Sequence, residues 1–282
     1  MATLVCFHAH PDDEVISTGG TIARAAAEGH RVVLDVATNG DHGEVPEDLG
    51  PDETLADRRR AETEASARVL GIARVVWLGY TDSGMTGWDQ NDHPESFHRA
   101  DPDEAGARLA EVLRAESADV LTIYDWHGNY GHPDHIAVSQ LALAGVMRAA
   151  STDEARDTRE PVEGDGAPHR VEKVYCAAWT DRVWDEYQKT FKVLRSTVDG
   201  EARSAVSWPD WAVSATTDAH DQWETVWAAV QCHRTQMAQY GVLKELSPRD
   251  HQAIWGPQEF YRVFSLVNGG RSRERDLFEG LR

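Results

Sequence analysis

Two short segments concentrate the residues whose types and spacing suit chemistry. The first is His8-Ala9-His10-Pro11-Asp12-Asp13-Glu14, with five ionisable side chains among seven residues. Crowded carboxylates repel one another, and burial raises their pKa values, so such a cluster needs a partner. A divalent cation resolves that repulsion. His10 and Asp13 stand three apart across a turn set by Pro11, which lets an imidazole and a carboxylate converge on one ion. Asp12 is then left pointing elsewhere, free to act as a base. The plainer alternative is an acidic helix start, in which Asp and Glu complement the helix dipole.

The second segment is Asp125-Trp126-His127-Gly128-Asn129-Tyr130-Gly131-His132-Pro133-Asp134-His135. His132 and His135 are again three apart around a proline, and the glycines at 128 and 131 let the backbone come close to a ligand. A catalytic zinc commonly takes three protein ligands and keeps a fourth place for water, and imidazole and carboxylate both suit it. His10, Asp13 and His135 make such a set. One histidine-rich loop is usually structural or solvated, whereas two proline-centred clusters argue for a shared metal.

The elements around them must bring the clusters together. Residues 4–8 read as a strand and 16–28 as a helix ending before Gly29; 31–38 and 74–78 are strands flanking a helix over 54–70 that stops at Gly71. A helix over 103–116, a strand over 119–124 and a helix over 135–149 follow. This alternation predicts an α/β, Rossmann-like fold, a mainly parallel sheet with helices on both faces plus a smaller C-terminal portion. Residues 1–168 would carry both motifs. Residues 169–282 would complete the sheet and pocket in the same compact domain, with a strand over 171–179, a helical stretch over 217–240 and a closing strand over 258–267. The charged, Gly- and Pro-containing stretch 151–169 reads as a mobile surface loop. In an open sheet of this kind ligands bind beyond the carboxyl ends of the strands, where both clusters fall.

Composition narrows the function classes. The 282 residues carry 28 Lys and Arg against 48 Asp and Glu, a formal charge of −20, which argues against nucleic acid and anionic lipid as partners. No apolar run approaches the roughly 20 residues of a membrane helix, and Met1-Ala2-Thr3-Leu4 lacks a basic leader segment, so a cytoplasmic location is expected. Cys6, Cys176 and Cys232 are few and far apart and read as free thiols. No Gly-x-Gly-x-x-Gly follows the first strand, which disfavours a nicotinamide cofactor; no Gly-x-Ser-x-Gly elbow is present, which leaves an activated water as nucleophile. The ten tryptophans suit core and pocket wall, and an aromatic wall also suits a sugar ring.

His10-Pro11-Asp12-Asp13-Glu14 together with Gly131-His132-Pro133-Asp134-His135 resembles the LmbE-like, or PIG-L, family of zinc-dependent N-deacetylases. Gly43-Glu44, Arg59-x-x-Glu62, Asp82-Ser83-Gly84-Met85 and His233-Arg234-Thr235-Gln236 extend the likeness. The resemblance implies that His10, Asp13 and His135 bind zinc, with ferrous iron acceptable to the same donors. It implies that Asp12 is the general base, that His132 stabilises the oxyanion or protonates the leaving amine under orientation by Asp134, and that Tyr130 polarises the carbonyl. Arg59, Glu44 and Asp82 correspond to sugar contacts, although Arg58-Arg59-Arg60 by itself would suit a solvated helix face. Among members the pattern is similar to those that deacetylate N-acetylglucosaminyl inositol in mycothiol biosynthesis. Members that cleave mycothiol S-conjugates look more distant, because their basic residue after the first motif is Thr18 here. The implied substrate is a small amino-sugar amide; self-association stays open. A conjugate amidase and a non-catalytic metal- or sugar-binding module are the alternatives, the latter having no need of Asp12 and His132 together.

Overall fold

The computed structural model describes residues 1–152, 167–190, 195–198, 201–204, 206–270 and 272–281. Most of the 151–169 stretch therefore lies outside the described residues. Strands β1 (Thr3–His8), β2 (Arg31–Thr38), β3 (Arg74–Tyr80), β4 (Val120–Ile123) and β5 (Lys173–Ala177) pair in parallel in the order β3-β2-β1-β4-β5. A separate hairpin joins β6 (Arg195–Val198) to β7 (Glu201–Ser204). The main sheet is completed by β8 (Ala215–Asp218) and β9 (Pro257–Ser265), with β9 antiparallel to both β5 and β8.

Helices α1 (Gly19–Ala27), α2 (Leu55–Leu70) and α3 (Pro102–Ala115) precede a single turn, α4 (Gly128–Gly131), and the long α5 (Pro133–Ala150). Beyond β5 come α6 (Asp181–Thr190), α7 (Trp223–Val230), α8 (Met237–Tyr240) and α9 (Pro248–Trp255). Because side chains alternate along a strand, β1 feeds two cores. Val5 and Phe7 pack with Leu109, Leu113, Val138 and Leu141 from α3 and α5 on one face. Leu4 and Cys6 pack with Ile22, Leu70, Val226 and Trp255 from α1, α2, α7 and α9 on the other. The α/β reading thus holds, with helices on both faces.

Local signals placed most boundaries. Thr54 caps α2 through a reciprocal box with Asp57, and Gly71 ends it with φ 79°. Two stretches differ from expectation. The first residues of the helix read over 16–28 lie in a π-helical turn, Glu14–Thr18, and α-helical geometry begins only at Gly19. The helical stretch read over 217–240 is broken: its start is β8, paired to β9, and between α7 and α8 the chain leaves helical geometry at His233 (φ −81°, ψ 66°). A strand partner so distant along the chain leaves no local period to reveal it.

Candidate metal centre

The order β3-β2-β1-β4-β5 reverses direction at β1 and β4, which opens a crevice at their carboxyl ends. The first cluster follows β1 and the second follows β4, so they face each other across it. Thr38 closes the floor by donating from Oγ1 to the Ala9 carbonyl at 3.0 Å.

His10, Asp13 and His135 converge there. His10 Nδ1 lies 3.3 Å from Asp13 Oδ2, His135 Nε2 lies 3.3 Å from the same oxygen, and the two nitrogens are 3.3 Å apart. Such a triangle matches one face of a tetrahedron, since donors about 2.0–2.2 Å from an ion stand about 3.3–3.5 Å from one another. All three offer lone pairs to one point, and two imidazoles with one carboxylate suit zinc or ferrous iron. The residues therefore fit a metal ion.

The surroundings fix this triangle. The far nitrogen of His10, Nε2, meets Asp134 Oδ2 at 3.0 Å, the carboxylate–histidine pairing that orients a ligating imidazole. Ser83 holds the Asp134 carboxylate in turn, by its backbone N–H (2.9 Å) and by its hydroxyl. The His135 ring is set by stacking on Tyr124, with centroids 4.1 Å apart and planes 12° apart. His8 stays out of the cage. It bonds Tyr124 and Thr18, and burial pushes its pKa down to about 4, so it is a neutral part of the framework.

Asp12 adopts φ 102°, a left-handed conformation unusual outside glycine. Its neighbours hold it there. Glu14 Oε2 accepts from the Asp12 N–H at 3.0 Å, Arg59 Nη2 lies 3.3 Å from Oδ1, and the Tyr240 hydroxyl donates to Oδ2 at 2.7 Å. Burial raises the Asp12 carboxyl above its ordinary value, and the Arg59 charge offsets part of that rise. The three consecutive arginines go three ways: Arg58 pairs with Glu53, Arg59 is buried against the Pro11 and Gly40 carbonyls and Asp12, and Arg60 lies over Trp77.

The remaining expected residues are distributed around the crevice. His132 presents its Nδ1 to the Asp134 N–H at 3.1 Å, capping α5, and packs edge-on to His10 at 4.5 Å. The Asp134 carboxylate hydrogen-bonds His10 and is held by Ser83, its backbone N–H meets His132 Nδ1, and its carboxylate lies within 4.8 Å of a His132 ring nitrogen, so its charge bears on both histidines. The Tyr130 ring lies edge-on 5.1 Å from His135, and burial raises its hydroxyl well above the usual value. Asp82 is buried, 3.6 Å from His10 Nε2, with Oδ1 accepting from the Gly84 N–H. Glu44 is exposed and is brought to no partner among the described contacts.

Several supports escaped the sequence reading. His233 Nε2 meets Glu14 Oε1 at 2.7 Å with both side chains fully buried. Burial alone would lower His233 and raise Glu14, but each charge reverses the other's shift, moving His233 up and Glu14 down, both toward the ionised form. Ser66 also donates to Glu14, while Thr235 donates twice to Glu62, by its N–H at 3.0 Å and its hydroxyl at 2.7 Å. The Arg59-x-x-Glu62 and His233-x-Thr235 spacings were the only signal, and nothing local says which residue each meets.

Residues 5–146 match the family described as PIG-L, GlcNAc-PI de-N-acetylase. The chain is 39% identical over 297 residues to a 1D-myo-inositol 2-acetamido-2-deoxy-alpha-D-glucopyranoside deacetylase of Streptomyces griseus, covering 99% of this chain and 88% of that one. The chain belongs to the PIG-L family. Solved structures share the fold: N,N'-diacetylchitobiose deacetylase from Pyrococcus horikoshii (TM-score 0.61, 22% identity, 93% of this chain, 83% of that one), and the 4-carboxy-2-hydroxymuconate hydratase GalB from Pseudomonas putida (0.61, 23%, 96%, 99%). A PIG-L fold that also serves a hydratase fixes no reaction, so the chemistry must be argued from the site. His233 and Tyr240, which hydrogen-bond Glu14 and Asp12 of the PIG-L motif, lie beyond the matched residues.

Proposed function

We propose that the protein is a metal-dependent N-deacetylase that adds water across the acetamido bond of an N-acetylglucosamine-type sugar, releasing the free amine and acetate. The observation that supports this most is the triangle of His10, Asp13 and His135 with a second carboxylate, Asp12, held beside it but outside it. His10, Asp13 and His135 would hold the ion, zinc in this reading with ferrous iron as the runner-up; when bound, it supplies Lewis acidity to water and to the amide carbonyl. Asp12 takes the proton of the attacking water. His132, held neutral by burial and by the neighbouring His10 and His135, accepts from the Asp134 N–H at Nδ1 and donates from Nε2–H to the developing oxyanion, while the proton taken up by Asp12 goes on to the leaving nitrogen. The Tyr130 hydroxyl, kept protonated by burial, donates to the carbonyl oxygen. Asp134 acts through His10, while Asp82, Arg59 and Glu44 remain candidates for the sugar, Arg59 with the added task of holding Asp12.

The names of the relatives support an inositol glycoside as substrate. Thr18 is buried with its hydroxyl on His8, so no basic side chain enters from that position; this favours the deacetylase over the conjugate amidase. We further read the protein as cytoplasmic and acting as one domain, residues 1–168 carrying both motifs and 169–282 completing the pocket; no helix among the described residues is long and apolar enough to cross a membrane. The test is to incubate the metal-loaded protein with N-acetylglucosamine, its inositol glycoside and a thiol conjugate, and to assay released primary amine. The glycoside should be cleaved fastest. Asp12→Ala should keep its metal and lose about 10²- to 10⁴-fold in turnover; retained metal with near-normal turnover would remove Asp12 from the base role.

A further inference from the structure

We infer that Tyr240 is a positioning residue for the base, the group that keeps Asp12 beside the metal cage and aimed at the water; the inference rests on Asp12 being that base. Adjacent carboxylates at 12 and 13 have the same chemistry, so something must sort them into one ligand and one base. The backbone begins the sorting by placing Asp12 at φ 102°. It cannot finish it, because the carboxylate still turns about its own side-chain bonds. Arg59 reaches Oδ1 at 3.3 Å, a long contact shared with two carbonyls that the same guanidinium also serves. Tyr240 makes the shorter bond, 2.7 Å to Oδ2. A carboxylate oxygen accepts two hydrogen bonds, so Oδ2 keeps one lone-pair direction for water while the phenol occupies the other.

The route by which Tyr240 arrives supports the assignment. It ends α8, directly after a stretch pinned at two points: His233 to buried Glu14, which also accepts from the Asp12 N–H, and Thr235 to Glu62 on the same helix as Arg59. Both anchors lead back to the groups that hold Asp12. The phenol hydroxyl stays protonated, pushed well above its usual range by burial and then by the Asp12 charge, so it remains a donor across the working pH range.

The experiment compares wild type, Tyr240→Phe, Asp12→Asn and the double variant, all metal-loaded, on the N-acetylglucosaminyl inositol substrate. The expected result for Tyr240→Phe is a fall in kcat on the order of tenfold, the loss typical of a hydrogen bond to a charged group. KM and bound metal should stay within about twofold of wild type, since a positioning loss acts on the step and not on ground-state binding. In the Asp12→Asn background, removing the hydroxyl should add no further loss, because its effect runs through that carboxylate. An unchanged kcat, an equal loss in the Asp12→Asn background, or loss of metal or cooperative melting in Tyr240→Phe would each overturn the assignment. Wild type without activity, or Asp12→Asn with full activity, would instead overturn the base reading beneath it.

Discussion

Asp12 and Asp13 show how far a residue's role depends on its partners. They are identical in chemistry and adjacent in sequence, yet one closes a triangle of donors with His10 and His135 and the other is tied to Arg59, Tyr240 and Glu14. His132 and His135 divide in the same way: His135 Nε2 enters the triangle, while His132 caps α5 and packs edge-on to His10. His132→Ala should therefore keep its bound metal and lose on the order of 10²- to 10³-fold in kcat, as other oxyanion partners do. Metal analysis beside steady-state kinetics checks both halves. Metal loss in that variant would place His132 among the ligands.

At the scale of elements, the turn before α5 decides whether His135 reaches the cage. Gly128 has φ 64°, and a Cβ there would stand 2.7 Å from the Ile136 nitrogen and 2.8 Å from the His135 Cβ. Gly128→Ala should weaken metal binding and lower stability by about 1 to 3 kcal/mol; a melt run with and without added zinc would separate the two effects. β2 carries a cost of another kind. Asp35 is fully buried with neither oxygen hydrogen-bonded among the described residues, and burial raises its pKa well above the ordinary value, with Arg74 offsetting little of it. A carboxyl protonated in the fold but ionised in the unfolded chain gives stability present below about pH 4 and lost as pH rises. Asp35→Asn, which has no proton to hold, should gain on the order of 1 to 3 kcal/mol over wild type near pH 8, and the gain should vanish near pH 4. Equal differences at both pH values would mean that Asp35 is ionised in the fold.

Across the whole molecule, charge acts on what approaches the crevice. The formal charge is −20. A cavity of about 500 Å³ between the loops after β2 and β3 is lined by Asp41, Asp89 and Asp92 with His42 and His93, and by no Lys or Arg. Asp41 accepts from the Asp82 N–H, so this cavity adjoins the candidate sugar contact; Arg99, 3.5 Å from Asp92, offsets one of its charges. An uncharged polyol suits such walls better than a phosphate ester. The neutral inositol glycoside should then show a kcat/KM nearly independent of salt. A phosphorylated analogue should be poorer at low salt and recover several-fold as the screening length falls from about 10 Å at 0.1 M to about 3 Å at 1 M. Parallel salt titrations of the two substrates would test this, and identical curves would exclude an electrostatic contribution from the cavity.

The ordered alternation of strand and helix and the identity of both clusters were legible in the chain, because hydrophobic period, caps and proline turns are set by neighbours within a few residues. The meeting of the clusters also followed, since parallel strands present their carboxyl ends to one edge. Which carboxylate serves which histidine did not follow. Asp134 faces His10 because Ser83 of another loop holds it there, Arg59 is buried because Asp12 and two carbonyls receive it, and Glu14 is drawn toward its ionised form because His233 arrives from far along the chain. Partners of that kind are chosen by packing and desolvation in the finished fold, and residue type or spacing alone does not encode them.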